Sequence, residues 1–397
     1  MNFNHFFFRK ENMVFNMKLG QPHGGTLVDR RIKGRMRKRL EEEAKEMPRL
    51  AGNERILSDI WQIAIGGFSP LTGFMVREDY ESVVQRTRLS NDLLWAFPIV
   101  LPIPESLKIE EGDEIAIFDN ETPVAIMQIE EIWVPDKKKE VKEVIGTTDP
   151  KHPGVQKILS MPNKYAGGPI YVINRPKSPY PERELEPRET RKEFQRRGWK
   201  EIVAFQTRNP PHMAHLYLQR IALEIADGLF IHPIIGERKP GDFPPQAIIE
   251  AYNWIAGNYW PKERVFLSFL WTWMRFAAGR EALHHLIIRK NYGATAMVIG
   301  RLHASVSGFH RDYEAHEFIK QFDVEELGIR PLLLHGPRWC PICKRVVTDK
   351  TCPHKDKQKD ISMTYIRKCL RENKSPPEGW ILPEIIKIVK KYAKSIK

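Results

Sequence analysis

A change of rhythm near residue 200 constrains this chain more than any other feature. From there, strand-sized apolar runs alternate with helix-length stretches. EIVAFQ (201–206) precedes helical HLYLQRIALEIADG (215–228), and LFIHPIIG (229–236) precedes helical QAIIEAYNWIAGNY (246–259). RVFLSFL (264–270) then leads into helical GREALHHLIIRKNYG (279–293), and ATAMVIG (294–300) follows. Strands separated by helices of this length return in parallel, through right-handed crossovers. The prediction is an α/β domain with a parallel sheet. Ligands of such sheets bind beyond the carboxyl ends of the strands. The loops after Gln206, Gly236, Leu270 and Gly300 are therefore expected to share one crevice.

Upstream the pattern differs. Short strand-like runs, FPIVLPIP (97–104), DEIAIFD (113–119) and PVAIMQIEEIWV (123–134), are separated by EGD and DNET turn signals. One helical patch, Leu40 to Glu46, precedes them. The Pro-rich, charged stretch NRPKSPYPERELEPRE (174–189) reads as an exposed connection. With 397 residues to divide, the chain is expected to be a multidomain α/β protein. Its parts are a mostly β domain over 17–175, barrel-like or sandwich-like, an α/β domain over 190–335, and a small C-terminal domain over 336–397. No internal repeat is evident.

A formal charge of +13 admits a nucleic-acid binder or an enzyme for small anions. The basic residues are spread along the chain. Their densest run, Arg30 to Arg39, continues into Glu41 to Glu43 and reads as a solvated helix face. No run approaches the roughly 20 apolar residues of a membrane span. The N-terminal MNFNHFFFRKENM lacks the apolar core and cleavage site of a secretory signal, and Met13 or Met17 are alternative starts. A cytoplasmic location is expected.

The loop from Gln206 to His215 leaves one strand and opens a helix, where unpaired backbone N–H groups and the positive helix end favour phosphate. His212 and His215, three apart, project to nearly the same side. Arg208 offers a planar fork for an oxyanion, while Gln206 and Asn209 add neutral donors. The plainer reading has the two histidines capping the helix or binding zinc. A second cluster, Cys340-Pro-Ile-Cys343 then Cys352-Pro-His354, has the spacing of a zinc knuckle. Three cysteines and one histidine would close the coordination sphere and make the ion structural. Asp356 is an alternative fourth ligand, and thiols without metal are the plainer reading. Cys369 lies in a helix-like stretch and is expected to be a buried thiol.

QTRNPPHMAH (206–215) resembles the ATP sulfurylase signature Q-T-R-N-P-x-H-x-x-H. HPIIGERKPGDF (232–243) resembles that family's H-P-x-x-G-x-x-K-P-G-D. MRFAAGREALHHLIIRKNYGATAMVIGR (274–301) is similar to M-R-Y-A-G-P-R-E-A…I-R-K-N-Y-G-x-T…G-R, and RLHAS (301–305) falls on R-D-H-A-G. PHGGTLVDR (22–30), GGFSPLTGFM (66–75) and KHPGVQ (151–156) also match family segments. The likeness runs along almost the whole chain from about residue 20.

The resemblance implies a PUA-like barrel before a Rossmann-like nucleotidyltransferase domain, in the form without a fused APS kinase domain. It implies that ATP and sulfate become adenosine 5'-phosphosulfate (APS) and pyrophosphate, with Mg2+ accompanying ATP and a homodimer as the assembly. Gln206 and Arg208, helped by the backbone of Ala304, would hold sulfate. Thr207, Arg208 and Asn209 would form the catalytic loop, Asn209 facing ATP. His212 and His215 would stabilise the transition state, and Gly300, Arg301 and His303 would form the second wall. The chain shows no nucleophile–base pair, which suits direct displacement by an oxyanion that is already unprotonated. Neither nucleic acid nor membrane is an expected partner.

Departures from the family pattern are Leu302 for Asp, Ser305 for Gly, and Ala278-Gly279 for Gly-Pro. Of His284 and His285 at least one reads as packed or solvated rather than a ligand, Trp271 and Trp273 read as packed rather than stacked on adenine, and Lys239 and Asp242 as turn formers. Two alternatives compete: an adenylyltransferase with another acceptor, and a basic RNA-binding protein with a zinc knuckle.

Overall fold

The computed structural model describes residues 20–236 and 241–395. The alternative starts Met13 and Met17, and Lys239 of the Lys-Pro-Gly-Asp turn, lie outside these. Fifteen strands among the described residues form three sheets. The first contains β1 (Arg49–Ala51), β2 (Gly73–Phe74), β3 (Leu101–Ile103), β4 (Glu114–Asp119), β5 (Thr122–Gln128), β6 (Glu131–Trp133) and β7 (Lys164–Val172). Its path is β1-β4-β5-β7-β2, and β3 and β6 also pair with the long β7. All its pairings are antiparallel except β1 with β4. This region also carries helices Glu54–Ala64, Arg77–Arg86 and Pro153–Ser160, which turn-punctuated apolar runs do not reveal. The predicted helical patch is helix Gly34–Glu43; none of its residues is buried, and Arg37 and Arg39 pair with Glu41 and Glu43.

The second sheet has the order β10 (Val265–Leu267), β9 (Gly228–Ile231), β8 (Ile202–Phe205), β11 (Ala296–Ile299), β12 (Arg330–Leu333), parallel throughout. Side-chain alternation splits these strands between two cores. Val203, Phe205, Leu229, Ile231, Ala296 and Val298 face one apolar cluster. Ile202, Ala204, Phe230, Met297 and Ile299 face the other. Both faces are covered, as a parallel sheet requires. Helices Met363–Arg371 and Pro383–Lys390 supply Ile366, Leu370, Ile385 and Val389 to the first core.

The second core is shared with the region of the first sheet, and between them lies helix Ala278–Asn291, every residue of which is buried. Several of its polar groups are met by distant backbone, whereas both ring nitrogens of His284 and Nε and Nη1 of Arg289 are buried without a hydrogen-bond partner among the described residues. The Arg280 guanidinium donates to the carbonyls of Val83, Val84 and Ala96. Asn291 donates to Gly67 and Ser69, and Lys290 to Leu327.

Three readings need correction. The run 229–236 is a strand only to Ile231, and Ile234 keeps an isolated bridge to Leu270. The helix expected over 246–259 is α-helical over Pro245–Trp254 and continues as a π-turn to Tyr259. The connection 174–189 is not wholly exposed. Ser178 and Glu184 are buried in it, Glu184 paired with Arg175, and the amide of Leu185 donates to Ser268. Among the described residues, no helix is long and apolar enough to cross a membrane.

Candidate active site and metal centre

In the order 10-9-8-11-12, the chain moves one way from β8 and returns to its other side for β11. Crossovers therefore leave toward opposite faces between β8 and β11, opening a crevice at their carboxyl ends. A cleft of about 490 Å³ lies there. It is lined by Gln206, Thr207, Arg208, Asn209, His212 and His215 from the loop after β8, and by Gly300, Arg301, His303 and Ala304 from the loop after β11. Every substrate-site residue expected from the sequence thus borders one cavity. Met274 and Phe276, beyond β10, complete the wall. The loop after β9 stands behind it, where Asp242 accepts from Arg208 at 2.7 Å. Gly236 lets that loop approach: a Cβ there would sit 1.9 Å from the Thr272 carbonyl.

His212 is the N-cap of helix Met213–Ile225, and its ring stacks on that of His215 with centroids 3.7 Å apart. The His212 amide donates to His215 Nδ1 at 3.4 Å, so the neutral His215 ring carries its proton on Nε2. Burial, reinforced by His215, holds His212 well below the usual histidine range, and burial lowers His215 to about 4. Both rings are uncharged at neutral pH. The two histidines form a reciprocal capping box at this helix start, as the plainer reading of the sequence had it. The helix start is less open than the motif suggests, because the Met213 amide already donates to the Trp380 carbonyl at 2.9 Å.

The second wall is strained where it meets the cavity. Ala304 has φ +53° and Phe276 φ +62°, the left-handed region that costs a non-glycine residue about 1 kcal/mol or more. Arg208 lies 5.3 Å from the Phe276 ring centroid. A Cβ on Gly300 would meet nothing nearer than Leu218 at 4.0 Å, so this glycine leaves room for a ligand rather than for packing. Arg301 is fixed by Asp312 at 3.1 Å and Asp360 at 3.0 Å.

His303 Nε2 lies 2.9 Å from His285 Nδ1, and burial lowers His303 to about 3. His284 and His285 therefore divide. His284 lies among Phe68, Trp95 and Phe97, whereas His285 touches a cleft residue. Trp271 and Trp273 are buried as expected. The departures from the family pattern also have addresses. Leu302 stands half-exposed in the cleft wall, and Ser305 donates weakly to the His303 carbonyl. Ala278 occupies a left-handed site, φ +40°, that a glycine would fill without strain.

Sequence reasoning missed six cleft contributors from the C-terminal segment: Asp360, Ile361, Ser362, Met363, Thr364 and Arg367. No signal in a linear reading ties residues near 360 to a loop near 206.

The cysteine cluster lies apart, in the hairpin of β13 (Arg338–Cys340) and β14 (Arg345–Val347), which β15 (Lys359–Asp360) joins. The ligand atoms of Cys340, Cys343, Cys352 and His354 all lie within 4.8 Å of one another; Asp356 is not among them. Cys343 and Cys352 Sγ are 3.7 Å apart, and His354 Nδ1 is 3.4 to 3.8 Å from the three sulfurs. A tetrahedron with Zn–S bonds of about 2.3 Å has edges of about 3.8 Å, so these residues fit a closed zinc site. Cys369 is buried elsewhere.

A parallel sheet with an arginine- and histidine-lined cleft at its switch point is the setting of an α/β enzyme acting on anionic ligands. Residues 181–392 match the ATP-sulfurylase family, and residues 20–175 match the PUA-like domain. A sulfate adenylyltransferase of Ignicoccus hospitalis is 45% identical over 94% of this chain and 97% of its own length. That of Persephonella marina is 44% identical over 94% and 98%. A solved structure described as a hexameric APS kinase from Thiobacillus denitrificans superposes with a TM-score of 0.75 at 22% identity, covering 94% of this chain and 68% of that one. That likeness is one of fold. The chain belongs to the ATP-sulfurylase family.

Proposed function

We propose that the cleft transfers the adenylyl group of ATP to sulfate, giving APS and pyrophosphate, in a reaction that runs either way. One observation carries this reading: the two family motifs, far apart in sequence, meet as facing walls of a single cavity at the switch point. A sulfate oxygen attacks the α-phosphorus in line. The bond to the β-phosphate oxygen breaks, and pyrophosphate leaves with its electron pair. Sulfate arrives unprotonated, so the protein's task is placement and charge neutralisation.

Gln206, Arg208 and the Ala304 amide hold sulfate, and the left-handed turn at Ala304 is consistent with an amide presented to an oxyanion. Thr207 and Asn209 shape the loop against ATP. His212 and His215 donate to the phosphates as neutral imidazoles, and Gly300, Arg301 and His303 form the nucleotide wall. Magnesium enters with ATP, held by its phosphates and water. Cys340, Cys343, Cys352 and His354 hold a structural zinc. We further propose the divisions 17–175, 190–335 and 336–397 as domains, a cytoplasmic setting and a homodimeric assembly. Neither alternative, another acceptor or RNA binding, is supported by a specific feature of the cleft.

Run in reverse with APS and pyrophosphate, the protein is expected to form ATP, detected as luciferase light that requires both substrates. Arg208→Ala should lose at least roughly a hundredfold of that rate, the scale of one oxyanion contact, at unchanged melting temperature. No ATP from the wild-type protein would reject the reading.

A further inference from the structure

We infer that His285, on the buried helix behind the cleft, is a positioning residue that fixes the ring and the proton of His303, so that His303 offers Nδ1 as a hydrogen-bond acceptor to an N–H or O–H group of the nucleoside. This role rests on the adenylyl-transfer reading and adds to it a residue that does not line the cleft.

Helix Ala278–Asn291 is buried along its whole length, so each polar group on it loses hydration. Two adjacent histidines meet that cost differently. His284 packs among aromatic rings, and neither of its ring nitrogens has a hydrogen-bond partner among the described residues. His285 is held from both sides. Its Nδ1 lies 2.9 Å from His303 Nε2, and its Nε2 faces Glu281 Oε1, one helical turn back, at 3.7 Å. Glu281 in turn accepts from the amides of Arg275 at 2.9 Å and Ala277 at 3.1 Å, in the loop that carries Phe276 into the cleft wall. One buried turn of helix thus fastens two walls of the cleft.

The proton positions follow from this order. Burial keeps both rings neutral, holding His285 well below the usual histidine range and lowering His303 to about 3, so each carries one N–H. A separation of 3.7 Å is too long for a hydrogen bond. A carboxyl oxygen that already accepts an amide still presents negative potential there, and it favours an N–H over a lone pair. His285 therefore carries its proton on Nε2 and accepts at Nδ1. His303 then donates from Nε2, which leaves Nδ1 bare. His303 lines the cleft, and among the described residues no hydrogen bond engages that nitrogen. Sulfate and the phosphates of ATP only accept at neutral pH, so they are not its partners. The donors that the substrates bring are the amino group of adenine and the ribose hydroxyls.

The test compares wild type, His285→Leu, His285→Asn and His284→Leu by initial rates, with ATP and sulfate varied in turn, alongside thermal melts. His285→Leu should lower kcat/KM for ATP roughly tenfold, the scale of a hydrogen bond lost with its partner left buried, and leave the KM for sulfate unchanged. His285→Asn puts an amide oxygen near the place of Nδ1 and should recover most of that loss. His284→Leu removes a ring without hydrogen bonds and should match wild-type kinetics. Purine riboside triphosphate, which lacks the amino group, and ATP analogues lacking either ribose hydroxyl locate the donor. One of them should lose roughly tenfold against ATP in wild type, and little in His285→Leu, where the acceptor is no longer held. The first analogue assigns the contact to adenine, the others to ribose.

Equal losses in the Leu and Asn variants that track their melting temperatures, or analogue penalties that His285→Leu leaves unchanged, would overturn the role. Should His285→Leu fail to fold, NMR of the histidine ring nitrogens in the wild-type protein decides. Nε2–H tautomers are expected at both His285 and His303, and a proton on His303 Nδ1 would overturn the role. A wild type inactive with ATP and sulfate would instead remove the reading on which it rests.

Discussion

Stacked at 3.7 Å, the rings of His212 and His215 can share one side of a helix start only while both are uncharged. Burial enforces this, lowering His215 to about 4 and holding His212 well below the usual histidine range. A histidine lowered on folding contributes stability that is fully present above its unfolded value near 6.5. That stability is lost as pH falls toward the folded value. We therefore expect the melting temperature to drop between about pH 6.5 and pH 4, and to drop less steeply in His212→Asn/His215→Asn. Parallel pH profiles for the two proteins would show that these rings are not the source. The loop holding them was legible in sequence because its ten residues are contiguous and lie between a strand and a helix. Asp242 read only as a turn former, and its pairing with Arg208 and Arg367 appears only in three dimensions.

The strand–helix alternation forecast the parallel sheet, since short continuous apolar runs, buried on both faces, alternate there with helix-length stretches. Helix Ala278–Asn291 was readable as a helix, but not as a wholly buried one. Its Arg280, Lys290 and Asn291 look solvated on paper, and their partners lie on distant backbone. The close fit of this helix makes a strong prediction. A Cβ at Gly279 would lie 2.4 Å from Phe318 Cβ, so Gly279→Ala should cost about 1–3 kcal/mol of stability, measured by urea unfolding. An unchanged midpoint would mean the contact is looser than described.

The cluster of Cys340, Cys343, Cys352 and His354 was legible from spacing alone. Its tie to the active site was not, because it runs through Asp360 of β15 to Arg301. Cys343→Ser is expected to reduce bound zinc and lower the melting temperature, with activity falling as the fold is lost. Equal thermal stability would rule out a structural ion.

Across the whole molecule, a charge of +13 suggested both nucleic acid and small anions. Where the arginines sit separates the two readings. Arg208, Arg301 and Arg367 converge on one cleft, while the dense run near Arg30 to Arg39 is largely a solvated helix paired with its own glutamates. Four distant stretches of chain build that cleft: the loops after β8, β10 and β11, and the C-terminal segment. Sequence could order the first three by their motifs, but the fourth was not read as part of the site.

Adenylyl transfer to a sulfate-shaped oxyanion is tested most directly with molybdate, whose mixed anhydride with AMP hydrolyses at once. With ATP, magnesium, molybdate and pyrophosphatase, the protein should release AMP and phosphate at a rate that molybdate alone switches on. AMP formation that ignores molybdate, or none at all from folded protein, would contradict the account.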